Sequence, residues 1–324
     1  MSKKVIITII ILIAILLGGF FYAYQSGYLF PNYLTIFHAG SLSVPLQKIG
    51  EEFLHKHPRI RIAFESSGSV DAVRKITDLN KSCDILAVAD WILIPKMMYD
   101  KHASWVIIFA SNEMVIAYTD ESKYSKEIEE NPTDWYKILS RDDVTIGRSD
   151  PNCDPCGYRA LMVFQLASIY YSDPSINTTL WEHENTIVKP KSVELLALLE
   201  AGQLDYAFEY KSVAVQHHLK YVELPDEINL SNWTLRDYYA QVNVTISKGN
   251  EKVVIKGAPI LYGVTIPSNA KHPSDAIEFI KFMLSKDGRK IIEECGQNPI
   301  YPAYTDELAR VPPELREFVQ ELPG

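Results

Sequence analysis

The sequence predicts an α/β protein of two lobes around a cleft, preceded by an N-terminal hydrophobic segment. Three observations carry this: an alternation of strand and helix periods, a length of 324 residues, and an apolar run confined to the first two dozen positions. Alternating periods call for layered sheets with parallel strands. At roughly 150 residues per domain, the length accommodates two units with cores of their own.

The elements follow in order. Tyr33–Phe37 reads as a strand and Val44–His55 as a helix. Arg59–Glu65 alternates like a strand, after which Val70, Val73, Ile76 and Leu79 repeat at near-helical spacing. Asp84–Ala89 is a continuous apolar strand of the buried kind, and a helix follows around Ile94–Tyr99. Two apolar runs within Trp105–Thr119 flank Ser111-Asn112-Glu113, where the pattern restarts. Pro132–Leu139 and Gly157–Tyr171 read as helices, Val144–Gly147 as a strand, Ser192–Ala201 as a helix and Leu204–Tyr210 as a strand. Tyr221–Leu224, Val242–Ser247 and Val253–Ile266 carry β pattern, and Ser274–Glu294 reads as one helix. The Pro- and Glu-rich end is expected to pack loosely. With no long linker, the division is 1–30 for the leading segment, 31–112 with 250–324 for lobe 1, and 113–249 for lobe 2.

Lys3 and Lys4 precede an uncharged run of 20 residues, Val5–Tyr24, which at about 1.5 Å per residue spans a hydrocarbon core of roughly 30 Å. Lysines in front of such a run favour a cytoplasmic start and an outside continuation. Retained as an anchor or cleaved as a signal, it places the remainder outside the cytoplasm. N-x-S/T triplets at Asn177, Asn229, Asn232 and Asn243 suit an exported surface.

The 41 acidic and 32 basic side chains give a net charge of −9. That argues against nucleic acid as a partner, because phosphates demand clustered Lys and Arg. No nucleophile elbow, P-loop or dinucleotide fingerprint is present, so the chain is not expected to be an enzyme or to need a cofactor.

Three segments share one design, in which a strand ends, small polar or Gly residues follow, and a helix begins: Phe37–Pro45, Glu65–Val70 and Ser149–Gly157. Each would aim unpaired backbone N–H groups and a hydroxyl from the positive end of a helix, which binds oxyanions without a basic side chain. The plainer reading makes Ser41, Ser69 and Asp154 simple N-caps.

The runs AGSLSVP, SSGSVDAVRKIT, DILAVADWILIPKMM, SDPNCDPCGYRALM and LDYAFEYKSVAVQ resemble the archaeal tungstate/molybdate-binding proteins (the WtpA/ModA family), the extracytoplasmic solute-binding subunits of ABC importers. The likeness runs from about Leu34 to Pro302. It implies the periplasmic-binding-protein type II fold with a discontinuous first lobe, an ABC permease as partner, and tungstate or molybdate as ligand. By position it implies ligand contacts from Gly40 and Ser41, Ser69, Asp154 with the backbone of Pro155 and Cys156, and Tyr210. Two carboxylates can complete the coordination of the metal centre in this family, and Asp154 matches one. The position of the other falls on Ser192, with Glu194 two residues on. This leaves open whether Glu194 or Glu209 serves, or neither.

Sulfate or another tetrahedral anion is the rival ligand. A rival of another class is a thiol–disulfide enzyme using Cys153 and Cys156, with disulfides within that C-x-x-C and between Cys83 and Cys295 as options.

Overall fold

The structure, a computed structural model, describes residues 12–19, 21, 32–248 and 251–323. Most of the apolar run Val5–Tyr24 lies outside the described residues. Residues 12–19 are helical and exposed, and among the described residues no helix is long and apolar enough to cross a membrane.

Two sheets organise the chain. In chain order the strands of the first are β1 (Asn32–Ala39), β2 (Ile60–Ser67), β3 (Ile85–Val88) and β4 (Ile107–Ser111). Those of the second are β5 (Met114–Tyr118), β6 (Ile146–Ser149), β7 (Thr186–Lys189), β8 (Tyr206–Tyr210) and β9 (Lys220–Glu223). A hairpin follows, β10 (Asn243–Lys248) and β11 (Glu251–Lys256), and then β12 (Leu261–Thr265), β13 (Asn298–Thr305) and β14 (Val319–Glu321) rejoin the first sheet.

The first sheet has the order β14-β13-β4-β12-β3-β1-β2, and the second β7-β6-β8-β5-β9. Parallel pairing of β1 with β2 and β3, and of β6 with β7 and β8, sends their carboxyl ends in a common direction within each sheet. In open α/β sheets, ligands bind outside those carboxyl ends. Each lobe has its own core. Leu34, Ile36, Phe53, Phe279 and Ile280 are fully buried in the first, and Trp135, Phe164, Tyr206 and Phe208 in the second.

Between β4 and β5, which belong to different sheets, only Asn112 and Glu113 intervene. Asn112 is 1% exposed, and its amide donates to the Ser212 hydroxyl at 2.8 Å and to the Tyr262 hydroxyl at 2.9 Å. The chain returns at Gly257–Ile260, where Ile260 N donates to Leu230 O and Asn112 N to Ile260 O. The boundary drawn at 249/250 falls inside the β10–β11 hairpin, whose Val244, Ile246 and Ile255 pack on the second core.

Two expectations are corrected. Ser274–Glu294 is two helices, Pro273–Leu284 and Lys286–Glu294, because Ser285 is extended and its hydroxyl accepts from Gly288 N at 3.3 Å. Helix period alone cannot see that break, since the apolar face continues through it. The C-terminal segment does not pack loosely: Val311 and Leu315 are fully buried, and β14 pairs in parallel with β13. Few apolar residues suffice because Val311, Leu315 and Val319 all join the first lobe's core.

Candidate functional site

A cavity of about 250 Å³ opens between the lobes. The first lobe lines it with Ala39, Gly40, Ser41, Gly68, Ser69 and Ala89, and the second with Asp154, Pro155, Arg159 and Tyr210. Ile260 and Tyr262, at the return crossing, form its back. A neighbouring space of about 310 Å³ shares Gly68, Ser69, Ala89, Pro155 and Arg159 and continues past Asp71, Asp90 and Tyr158. Another cavity, of about 270 Å³, is lined by Asp142, Glu182, His183 and Glu184 and lies wholly within the second lobe. It carries the wrong charge for an anion.

The three strand-to-helix turns meet at the cleft. β1 runs into a 3-10 turn, Gly40–Leu42, before the helix Ser43–Lys56. β2 runs through Gly68 into the helix Ser69–Thr77. Neither Ser41 nor Ser69 caps a helix, since no side-chain cap bond is present at either start. The Ser69 hydroxyl instead accepts from Ala89 N at 3.0 Å, which ties it to the end of β3. With that oxygen anchored, its hydrogen is free to point elsewhere.

The third turn is the most constrained. Asp154 is a true N-cap of the helix Pro155–Tyr170: Oδ1 accepts from Cys156 N at 3.2 Å, while Oδ2 accepts from Ser192 N at 2.7 Å. One carboxylate thus braces two loops of the second lobe. Upstream, Asp150 O accepts from Cys153 N and Asp154 N, and Asp150 Oδ1 from Asn152 N, which winds the chain tightly before Pro155. Gly157 is required where the helix touches β6, because a Cβ there would lie 2.4 Å from Ser149 O.

Tyr210 ends β8, and its hydroxyl accepts from Arg159 Nη1 at 2.6 Å. Burial raises the Tyr210 hydroxyl well above the usual range, so it remains a protonated donor. Glu209 is fully buried one residue earlier and is not among the cavity-lining residues. Its Oε1 accepts from Tyr210 N at 2.8 Å and lies 3.7 Å from Cys156 Sγ, whereas Oε2 has no partner within hydrogen-bond distance, the Ser192 side chain acting on the carboxylate only from further away. Burial raises the Glu209 carboxyl to about 7.

Of the residues singled out from the sequence, Gly40, Ser41, Ser69, Asp154, Pro155 and Tyr210 are brought together. Cys156 and Ser192 stand behind Asp154, each giving it a backbone N–H. Glu194 is exposed on the helix Val193–Glu200 and does not line the cleft. Arg159 was missed. The available signal was its spacing, four residues after Pro155 and hence on the same helix face.

All four cysteines are free, so neither disulfide option is realised. Cys156 is buried with its thiol raised well above normal by desolvation, and Cys153 is raised as well by desolvation and the Asp150 carboxylate. A reactive thiol needs the opposite shift. Asn229 is 1% exposed and donates to Glu113 Oε2 at 3.0 Å, so that triplet is not a surface acceptor.

Two lobes, two chain crossings and helix starts converging on the cleft define a solute-binding protein. Residues 34–297 match the family model described as bacterial extracellular solute-binding protein, and the chain belongs to that family. An uncharacterized solute-binding protein of Staphylothermus marinus is 45% identical over 340 aligned positions, covering 96% of this chain and 94% of that one. The molybdate/tungstate-binding protein WtpA of Thermococcus kodakarensis is 43% identical, covering 89% of this chain and 87% of its own length. Among solved structures, the substrate-binding domain of a putative molybdenum ABC transporter from Clostridium difficile superimposes with a TM-score of 0.57 at 20% identity, covering 83% of this chain and 99% of that one.

Proposed function

We propose that this protein captures tungstate or molybdate outside the cytoplasm and delivers it to the permease of an ABC importer. The observation that carries the reading is the meeting of Ser41, Ser69, the Asp154–Pro155 helix start and Tyr210 around one cavity between two lobes. Helix starts and oriented hydroxyls can hold a dehydrated oxyanion within an acidic protein. An anion touching both lobes favours the closed form, and only such a ligand shifts that equilibrium. The 43% identity to a molybdate/tungstate-binding protein over most of the chain supports the choice of anion.

Carboxylates distinguish this anion from sulfate. A carboxylate beside a dianion is repelled unless it bonds to the metal centre, and tungsten or molybdenum accepts added oxygen ligands where sulfur does not. Asp154 lines the cavity, and each of its oxygens has spent one lone pair on a backbone N–H and retains another. For the second carboxylate we favour Glu209 over Glu194. The first is buried behind Cys156 with an orphaned oxygen, and the second is exposed on the helix Val193–Glu200. Its approach to the metal would require the floor of the cleft to adjust. The leading segment fits a signal or a membrane anchor.

Titration calorimetry tests the reading. Tungstate and molybdate should bind tightly, sulfate should displace neither at matched concentration, and Asp154→Asn should weaken tungstate by far more than a lost cap of ~1 kcal/mol. Equal displacement by sulfate, or an unchanged tungstate affinity in Asp154→Asn, would refute it.

A further inference from the structure

Arg159 stands out as a cation placed where an acidic, backbone-lined site does not need one. It is half-buried in the second turn of the helix Pro155–Tyr170, close to the helix's positive end, where the dipole disfavours a cation. Among the described residues, no carboxylate lies within ion-pair distance of it. Its guanidinium is 5.6 Å from the centre of the Tyr210 ring and 5.7 Å from that of Tyr158, and Nη1 is 2.6 Å from the Tyr210 hydroxyl. The two rings and, at longer range, the Asp90 carboxylate favour the charge, which leaves the bond to the Tyr210 hydroxyl still wanting a reason.

Donor chemistry supplies one. A guanidinium has five N–H donors and no acceptor, so in this bond the tyrosine oxygen must accept. The hydroxyl hydrogen is then barred from pointing at Arg159. Among the described residues, nothing else is bonded to that hydroxyl, and Tyr210 lines the cleft. We propose that Arg159 is a positioning residue that fixes the Tyr210 hydroxyl as a donor into the cleft, so that this hydroxyl meets an anion oxygen already oriented. The proposal rests on the oxyanion reading above and deepens it. Without Arg159, the hydroxyl would divide its hydrogen between two in-plane orientations and would lose the polarisation that a donating guanidinium gives it, which makes it the stronger donor.

The test is a double-mutant cycle read by calorimetry with sodium tungstate. Arg159→Met and Tyr210→Phe should each weaken binding by about tenfold or more, the usual range for a hydrogen bond to a charged group. Adding Arg159→Met to Tyr210→Phe should then cost no more than about twofold, because the residue acts through the hydroxyl. Additive losses, or an Arg159→Met affinity within about twofold of the parent, would overturn the proposal. Should Arg159→Met not fold, Arg159→Lys and Arg159→Gln replace it. Lysine also has donors only, whereas the glutamine carbonyl can accept the tyrosine proton. The lysine variant should bind about tenfold tighter than the glutamine variant, and that gap should vanish in Tyr210→Phe. Equal affinities, or a gap that persists, refute the idea. If the parent protein binds neither tungstate nor molybdate, the functional reading falls together with this inference. If it binds and the cycle is additive, only the inference falls.

Discussion

Glu209 shows how burial sets a residue's chemistry. In the unfolded chain a glutamate ionises near its ordinary value of 4.5, while in the fold this one holds its proton up to about 7. Between those values the folded state carries the extra proton, so its stability falls as pH rises. Below 4.5 there is no penalty, and above about 7 it is complete, on the order of 3 kcal/mol for the anion-free protein. Glu209→Gln should therefore flatten the pH dependence of the melting temperature between pH 5 and pH 7 and stabilise the anion-free protein at pH 8. Differential scanning calorimetry across that range checks it, and an unchanged slope would count against the burial argument. Glu209 could be weighed from sequence only as an alternative, because nothing in FEY indicates which way the strand turns its glutamate.

The strand-to-helix turns are the working elements, and their detail is set by contacts too close for any side chain. Gly157 lets the helix Pro155–Tyr170 start directly against β6, which brings Asp154 and Pro155 to the cleft. Gly157→Ala would force a shift of that helix start, costing about 1–3 kcal/mol as overpacking does. Tungstate affinity should fall with it, whereas alanine at an exposed helix position should leave both untouched. Urea unfolding and calorimetry on the same variant separate the two effects. The sequence showed a shared design in all three turns, and its plainer interpretation held for one. Asp154 caps its helix, while Ser41 and Ser69 do not. Capping and ligand-facing serines share the same sequence signature; only the backbone angles and the bond from Ala89 N tell them apart.

The whole molecule depends on two crossings and on a closing strap. Asn112 joins the β4–β5 crossing to Tyr262 at the back of the cavity and to Ser212 at the start of the helix Lys211–Gln216. Asn112→Ala would leave buried partners unsatisfied at about 1–3 kcal/mol, and it should loosen the relation between the lobes. X-ray scattering should then show a smaller compaction on adding tungstate than in the parent. Truncation after Thr305 removes β14 together with the buried Val311 and Leu315. Losing two buried aliphatic side chains at about 1.5–3 kcal/mol each should lower the urea midpoint markedly. A midpoint unchanged by the truncation would contradict the packing described above.

The sequence by itself determined the α/β class, most of the strands, the longer helices and the family, because period and local motif are properties of consecutive residues. By contrast, β7, β14 and short helices such as Ser125–Glu130, Ser175–Trp181 and Lys211–Gln216 carry too few residues to show a period. The tertiary structure alone decided what depends on residues distant in the chain. It broke the helix at Ser285, fastened the C-terminal segment to β13, buried Asn229, exposed Glu194, left the four cysteines unpaired and set Arg159 against Tyr210. Arg159 and Tyr210 are 51 positions apart, and no periodicity reports which helix face meets which strand end.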